Sequence, residues 1–203
     1  GVVAIKPSGV PYEEMTPEQI VLLDLNGTVL EGDLRPSSDT ATHLVLYRSF
    51  PEIGGVAHTH STNATAWAQS GREIPCFGTT HADFTPHSIP CSRSLSDEAI
   101  LGAYEHETGV NIVDVFRQIP YQEVPMALVH GHGPFTWGNS AADAVYHSVM
   151  LEEIATMAML TLELAPSQQS LKQVLIHKHF YRKHGKDAYY GQKHRKKKKK
   201  IQQ

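Results

Sequence analysis

Apolar residues along this chain fall into short runs, several rich in branched side chains, that predict strands. Residues 2–5 form a first run that ends in a Pro-Gly turn, and residues 20–25 form a second run. Asn26-Gly27 predicts a tight hairpin turn into a third strand at residues 28–30. Residues 125–130 read as a buried strand that continues into the glycine-rich segment behind it.

Helix signals alternate with these strands. Most of the predicted helices open with Ser, Thr, Asn or Asp, whose side chains can accept hydrogen bonds from the free N–H groups of a first turn. The helices are predicted at 36–50, 61–69, 96–104, 139–164 and 168–184. Because no repeat or linker interrupts the alternation, we expect one α/β domain over residues 1–192.

Two histidines follow the buried strand that ends at Val56-Ala57. Successive strand side chains point to opposite faces, so His58 and His60 should share one face with Thr59 on the other. Two pre-aligned imidazoles form half of a metal site. The pair alone is ambiguous, because an H-x-H match can also be incidental.

A second H-x-H pair, His130 and His132, ends the strand predicted at residues 125–130. Either histidine could supply a third metal ligand. His132 precedes Gly133-Pro134, where the backbone can open toward a ligand, whereas His130 is expected to be more buried within the strand and to act as a packed histidine.

Two segments could bind an anion. Lys6-Pro7-Ser8-Gly9 forms a turn that exposes backbone N–H groups beside a hydroxyl and a lysine, although a plain turn explains it equally well. Ser37, Ser38 and Asp39 lie where the helix dipole favours negative charge, and capping requires only one of them.

Composition narrows the class of protein. The chain has 203 residues and 13 histidines, and no apolar run approaches the roughly 20 residues that cross a bilayer. No secretory leader is visible, and two cysteines without a C-x-x-C spacing fit a reducing cytoplasm. Because the chain opens directly on an apolar strand, we expect the natural protein to begin further upstream.

Charge is concentrated at the end of the chain. Seven of the 18 Lys and Arg residues lie between Lys193 and Lys200, with no acidic residue among them. Like charges repel and resist burial, so residues 193–203 are expected to be a disordered basic tail. Nucleic-acid binding, a targeting role or a cloning remnant are alternatives for this tail, and we expect no nucleic-acid partner.

Five motifs in a fixed order resemble the class II aldolase/epimerase family, and the segment Arg182 to Gln192 is similar to its epimerase branch. The resemblance covers residues 1–192. The motifs are Lys6-Pro7-Ser8-Gly9, Pro36-Ser37-Ser38-Asp39-Thr40, His58-Thr59-His60-Ser61, Gly78-Thr79-Thr80-His81-Ala82-Asp83 and His130-Gly131-His132-Gly133-Pro134-Phe135.

The resemblance implies a three-layer α/β/α fold with a central, largely antiparallel sheet, assembled as a homotetramer. It implies one Zn²⁺ per subunit, with His58, His60 and His132 as ligands and Asp39 as a fourth. Aldolases of the family carry Glu where Asp39 stands. The implied roles of the remaining site residues are phosphate binding by Ser8, Gly9, Ser37 and Ser38, and proton transfer by Asp83 and by Tyr190 of a neighbouring subunit, with His179 near that contact.

The activity implied is the interconversion of L-ribulose 5-phosphate and D-xylulose 5-phosphate by retro-aldol cleavage and re-addition. The alternatives are a sugar-phosphate aldolase or a zinc-binding fragment of weak activity. The last alternative arises because the family's N-terminal helix and its Gly-Asn-x-Ser phosphate segment are not found in this sequence.

Overall fold

Two antiparallel sheets and seven α-helices make up the part of the chain that the computed structural model describes, residues 1–186 and 188–191. The predicted basic tail, 193–203, lies outside these residues. Within them, every helix is too short or too polar to traverse a lipid bilayer. The helices are α1 (Thr40–Ser49), α2 (Thr62–Ser70), α3 (Thr79–Ala82), α4 (Asp97–Leu101), α5 (Tyr104–Val115), α6 (Ala141–Leu164) and α7 (Gln173–His184).

The first sheet contains β1 (Val2–Ile5), β2 (Val21–Asp24) and β3 (Val29–Glu31), paired in that order. The predicted hairpin is confirmed: Gly27 adopts φ +90°, a conformation that glycine tolerates without strain. The Asp24 carboxylate accepts hydrogen bonds from the backbone N–H groups of Asn26 and Thr28, both at 2.8 Å, and closes the turn.

The second sheet has the order β4 (Gly55–His58), β6 (Pro134–Gly138) and β5 (Met126–Leu128), all antiparallel. The predicted run from 125 onward is therefore two strands. The chain reverses between them at Gly131, whose φ of +71° favours glycine, and the Val129 N–H donates to the Gly133 carbonyl at 2.9 Å. Because apolar residues lie on both sides of this turn, the sequence pattern alone does not reveal the turn.

Strand β6 is buried along its whole length and separates two layers of helices. On one face, the Thr136 hydroxyl donates to the Ala144 carbonyl of α6 at 2.8 Å. On the other face, Trp137 contacts Phe50 and Phe116, which end α1 and α5, at ring-centroid distances of 5.2 and 5.0 Å. Alternate side chains of one strand thus contact opposite helical layers, which confirms the predicted α/β/α arrangement.

Helix α5 differs from the prediction, which ended a short helix at Tyr104 and left polar residues behind it. Instead, α4 stops at Gly102 and a new helix of 12 residues begins at Tyr104. Gly109 allows α5 to approach α1 closely, because a Cβ at this position would lie 2.7 Å from the Val45 Cβ. Tertiary packing therefore stabilises a helix whose polar first turn gives no helix signal in the sequence.

Gly55→Ala should destabilise the fold. A Cβ on Gly55 would lie 2.4 Å from the Ser140 carbonyl oxygen and 2.5 Å from the Ala141 backbone nitrogen, so β4 and α6 would be forced apart. We expect the free energy of unfolding to fall by about 1–3 kcal/mol in urea titrations. Gly78→Ala is the matched control, since its Cβ would meet nothing within 4 Å. Equal stability of the two variants would contradict this close approach.

Candidate metal centre and active site

His58 is the last residue of β4, and His60 lies between this strand and the start of α2. The position of His58 follows from strand pairing, because it is in register with Phe135 of β6 and its ring stacks on the Phe135 ring at 4.1 Å. The His58 and His60 ring centroids lie 4.9 Å apart. The two histidines therefore face one another as predicted, although His60 is already outside the strand.

His132 joins this pair from the turn between β5 and β6. Its ring centroid lies 4.8 Å from that of His58 and 5.0 Å from that of His60, and one nitrogen from each of the three rings falls within a 4.8 Å span. We call His58, His60 and His132 the histidine triad. Among the described residues, this is the cluster of His, Cys, Asp and Glu side chains suited to a metal ion.

His130 does not join the triad, and the prediction that it is the more buried histidine of its pair is wrong. Its side chain is exposed and lies against Gly71, where a Cβ would approach the His130 ring to 2.4 Å. The reason is local: the residues lie in a turn around Gly131, so the alternation that places residues i and i+2 on one strand face does not apply.

The hydrogen bonds of the triad leave free nitrogen lone pairs where a cation would sit. The carbonyl of Pro134 lies 2.9 Å from His58 Nδ1, so Nδ1 carries the proton of the neutral ring and Nε2 carries a lone pair. His58 Nε2 and His60 Nε2 are 3.1 Å apart. Two nitrogens bound to one tetrahedral zinc at about 2.0–2.1 Å would lie about 3.3 Å apart, so the pair fits such an ion.

Burial and the neighbouring rings favour the neutral forms of His58 and His132, the state that metal ligation requires. Burial is the largest cause that lowers the pKa of His58, and the nearby rings of His132 and His60 lower it further. Burial likewise lowers the pKa of His132. The negative charge of Asp39 opposes both shifts but does not reverse them.

Tyr104 contacts the triad and is not apparent from the sequence. Its hydroxyl lies 3.2 Å from His132 Nδ1, which leaves His132 Nε2 for the triad centre. Such outer contacts fix the orientation of ligand rings. The sequence pattern does not predict that α5 begins at Tyr104, and this beginning places the tyrosine beside a histidine that is 28 residues away.

The triad opens into a cleft of about 650 Å³. The two candidate anion-binding segments meet there, because the Ser8 N–H donates to the Arg35 carbonyl at 2.8 Å and the Ser37 N–H to the Lys6 carbonyl at 3.0 Å. Ser8 and Gly9 are exposed on the turn that follows. The cleft is lined by Lys6, Tyr12, Ser37, Ser38, Asp39, His58, Thr59, His60 and His132.

Asp39 lies at the N-cap position of α1 and lines the cleft, but it is outside the group of three ligand atoms that the triad brings together. It is close enough for its charge to raise the pKa of His58 and His132 against the effect of burial. Its backbone N–H donates to the Ser37 hydroxyl at 3.3 Å, which ties it to the anion-binding segment.

Asp83 lies elsewhere, at the end of α3, and faces helix α7. Its carboxylate accepts two hydrogen bonds from Arg182 Nη2, at 2.9 and 3.0 Å, and pairs with Lys183 Nζ at 3.2 Å and His179 Nδ1 at 3.0 Å. Burial raises the pKa of Asp83, but the hydrogen bonds from His179, Lys183 and Arg182 outweigh it and hold the pKa below its usual range.

Tyr190 shares the cations that bind Asp83. Its ring centroid lies 4.9 Å from the Arg182 guanidinium carbon and 4.8 Å from Lys183 Nζ, and its backbone N–H donates to the Arg182 carbonyl at 3.0 Å. The side chain is 61% exposed. We call Asp83, His179, Arg182, Lys183 and Tyr190 the α7 cluster. Neither Asp83 nor Tyr190 lines the cleft of the triad in the same chain.

Comparison with known proteins gives consistent matches. The sequence profile of the class II aldolase and adducin N-terminal domain matches residues 1–159. The L-ribulose-5-phosphate 4-epimerases UlaF of Salmonella paratyphi C (strain RKS4594) and Salmonella choleraesuis (strain SC-B67) are each 51% identical to this chain over 193 residues. Each alignment covers 95% of this chain and 85% of the relative.

Solved structures share the fold at lower identity. An L-fuculose 1-phosphate aldolase matches with a TM-score of 0.74 and 23% identity, over 87% of this chain and 79% of its own. The L-fuculose 1-phosphate aldolase of Glaciozyma antarctica PI12 matches with a TM-score of 0.68 and 20% identity, over 88% of this chain and 66% of its own. At these identities the likeness shows the fold alone, and it agrees with the predicted class II aldolase-like architecture.

Replacing the triad histidines should remove bound metal. We expect about one equivalent of zinc per chain in the purified protein, and His58→Ala should lose most of it, because three imidazoles supply the ligand set. Metal analysis by plasma emission checks this. His130→Ala is the matched control and should keep its zinc, since His130 is outside the triad. Full metal content in a His58/His60/His132 triple alanine variant would contradict the assignment.

Proposed function

The chain belongs to the class II aldolase and adducin family, and from this premise we propose that it is a zinc-dependent epimerase interconverting L-ribulose 5-phosphate and D-xylulose 5-phosphate. One observation carries the proposal: a triad suited to zinc opens into the same cleft as Ser37 and Ser38, in a chain 51% identical to named epimerases of this specificity. A metal ligand set beside a phosphate-binding segment suits a phosphorylated ketose.

Inversion at C4 of these sugars requires more than a proton shift, because the C4 hydrogen is not acidic. We propose that the C4 hydroxyl loses its proton, the C3–C4 bond breaks, and its electron pair passes to the three-carbon fragment. The aldehyde fragment, glycolaldehyde phosphate, rotates and accepts the pair on its other face, and the C4 alkoxide that forms takes a proton back. A bound zinc ion would supply Lewis-acid stabilisation for the negative charge on the ketose oxygens. Asp39 is proposed as a fourth ligand.

Phosphate binding would keep the aldehyde fragment in place between cleavage and re-addition. Ser37 and Ser38 line the cleft just before the N-terminus of α1, whose dipole favours an anion. Ser8 and Gly9 are proposed to bind the same phosphate, although they are not among the residues that line the cleft; the Ser8 N–H, bonded to the Arg35 carbonyl, links their turn to the segment that precedes α1. Lys6 lines the same cleft and adds a positive charge.

We propose proton transfer by Asp83 and Tyr190. The family resemblance implies that only Tyr190 comes from a neighbouring subunit, but the two residues share the same cations, which favours both serving the triad of a neighbouring copy in a homotetramer. Both belong to the α7 cluster and neither lines the cleft of its own chain, which supports a site completed across an interface. Exposed apolar side chains of α6, including Val145, Val149 and Leu160, offer surface for such an assembly. With two free cysteines, we assign this assembly to the cytoplasm.

A sugar-phosphate aldolase is the second candidate, because the matched family profile describes a class II aldolase domain. Product analysis separates the two. Incubation with L-ribulose 5-phosphate should yield D-xylulose 5-phosphate, followed by NMR, without build-up of free glycolaldehyde phosphate. Accumulation of that aldehyde would support the aldolase instead.

Asp83→Asn should slow turnover by roughly 10²–10⁴-fold, the usual contribution of a positioned proton-transfer group. Zinc content should not change, because Asp83 is outside the triad. The control is Asp97→Asn, an acidic residue in the first turn of α4, which should keep its activity. Loss of zinc in Asp83→Asn would place this carboxylate in the coordination sphere and contradict the assignment.

Mixing inactive variants tests the shared site. His58→Ala and Tyr190→Phe chains, mixed and allowed to exchange, should recover up to about a quarter of wild-type activity, because random assembly pairs an intact triad with an intact cluster in one site out of four. Asp83→Asn mixed with Tyr190→Phe should recover nothing, since both residues lie in one cluster of one chain.

Recovery in both mixtures would mean instead that Asp83 acts on the triad of its own chain and that only Tyr190 comes from the neighbour. No recovery in either mixture, with mixed oligomers confirmed by native mass spectrometry, would contradict a shared site.

A further inference from the structure

His60 is the least constrained member of the histidine triad. It is exposed and lies outside β4, so no strand hydrogen bonds fix its backbone. Its position depends on the residues that follow it, where α2 begins at Thr62. The N-cap residue Ser61 makes no side-chain hydrogen bond to the first turn of α2. The free N–H groups of that turn therefore need another acceptor.

Glu152 of α6 supplies this acceptor from a distant part of the chain. Its Oε1 accepts hydrogen bonds from the Asn63 backbone N–H at 2.8 Å and from Asn63 Nδ2 at 2.9 Å, and its Oε2 accepts from the Ala64 N–H at 2.9 Å. Burial raises the pKa of Glu152, but bonds from Ala64, Asn63 and the Ser61 hydroxyl hold it below its usual range. An ionised carboxylate thus caps α2 and complements its dipole.

Helix α6 is a rigid support for this carboxylate. The residues flanking Glu152, Leu151 and Ile154, are buried in the main core. Two further bonds join the helices: Asn63 Nδ2 donates to the Thr156 hydroxyl at 2.8 Å, and Trp67 Nε1 donates to the Ala155 carbonyl at 3.1 Å. Glu152 therefore connects a fixed helix to the turn that follows His60.

We propose that Glu152 is a positioning residue for the metal centre: by capping α2 it holds His60 against His58 and His132. The inference rests on the proposed zinc site. If the first turn of α2 loses its cap, the backbone at Ser61 gains freedom and the His60 ring moves with it. A ligand that samples several positions binds metal more weakly, because its ordering must then accompany binding.

The test measures zinc affinity of the metal-free protein by competition with a chromophoric chelator. Glu152→Gln keeps the side-chain size but turns an amide N–H₂ toward backbone N–H groups, and it should weaken zinc binding by about 10–100-fold. Glu153→Gln is the matched control, one residue along α6 and exposed, and it should bind like wild type. Glu152→Asp keeps the charge with a shorter reach, so its affinity should lie between the two, and it replaces Glu152→Gln should that variant not fold.

A double-variant comparison separates positioning from general stability. We expect Glu152→Gln to lower the melting temperature of the metal-free protein equally with and without His60. In a His60→Ala background, however, it should leave the residual zinc affinity unchanged. Equal loss of affinity with and without His60 would overturn the inference, as would wild-type affinity in folded Glu152→Gln. A wild-type chain that binds no zinc would overturn the metal assignment itself, and this inference with it.

Discussion

The antiparallel pairing of β4 with β6 is the constraint on which the histidine triad depends. The ladder places His58 opposite Phe135, and the turn that leads into β6 carries His132 to the same end of the sheet. The Pro134 carbonyl, at the start of β6, also sets the tautomer of His58. The pairing of β4 with β6 thus determines where the His58 ring lies, how it is oriented and which of its two nitrogens is free. The triad is built beside a strand that is buried along its whole length.

The histidine triad and the α7 cluster differ in electrostatic character. In the triad, burial lowers the pKa of His58 and of His132, which lie beside an acidic side chain at the start of α1. The α7 cluster instead surrounds Asp83 with Arg182, Lys183 and His179, so the carboxylate stays ionised. A metal centre needs electron-pair donors, whereas a group that handles protons needs a controlled charge state. Their separation within one chain is the observation behind the proposal of a site shared between subunits.

Helix ends carry much of the chemistry. The start of α1 presents hydroxyls and N–H groups to the cleft, and the start of α2 follows directly on His60. Both use the unpaired N–H groups of a first turn, one toward a proposed phosphate and the other toward the Glu152 carboxylate. A functional residue next to a helix N-terminus has a defined backbone position, so it does not need to lie within a strand.

The sequence by itself determined the local features: the proximity of His58 and His60, the hairpin at Asn26-Gly27, and the order of motifs that resembles the family. These depend on neighbouring residues or on shared ancestry, and both are visible along one chain. Only the tertiary structure decided between His130 and His132, because the turn at Gly131 cancels the alternation. It also decided the contacts of Tyr104 and Glu152, since these join residues that are 28 and about 90 positions from their partners, and nothing in the linear pattern encodes that proximity.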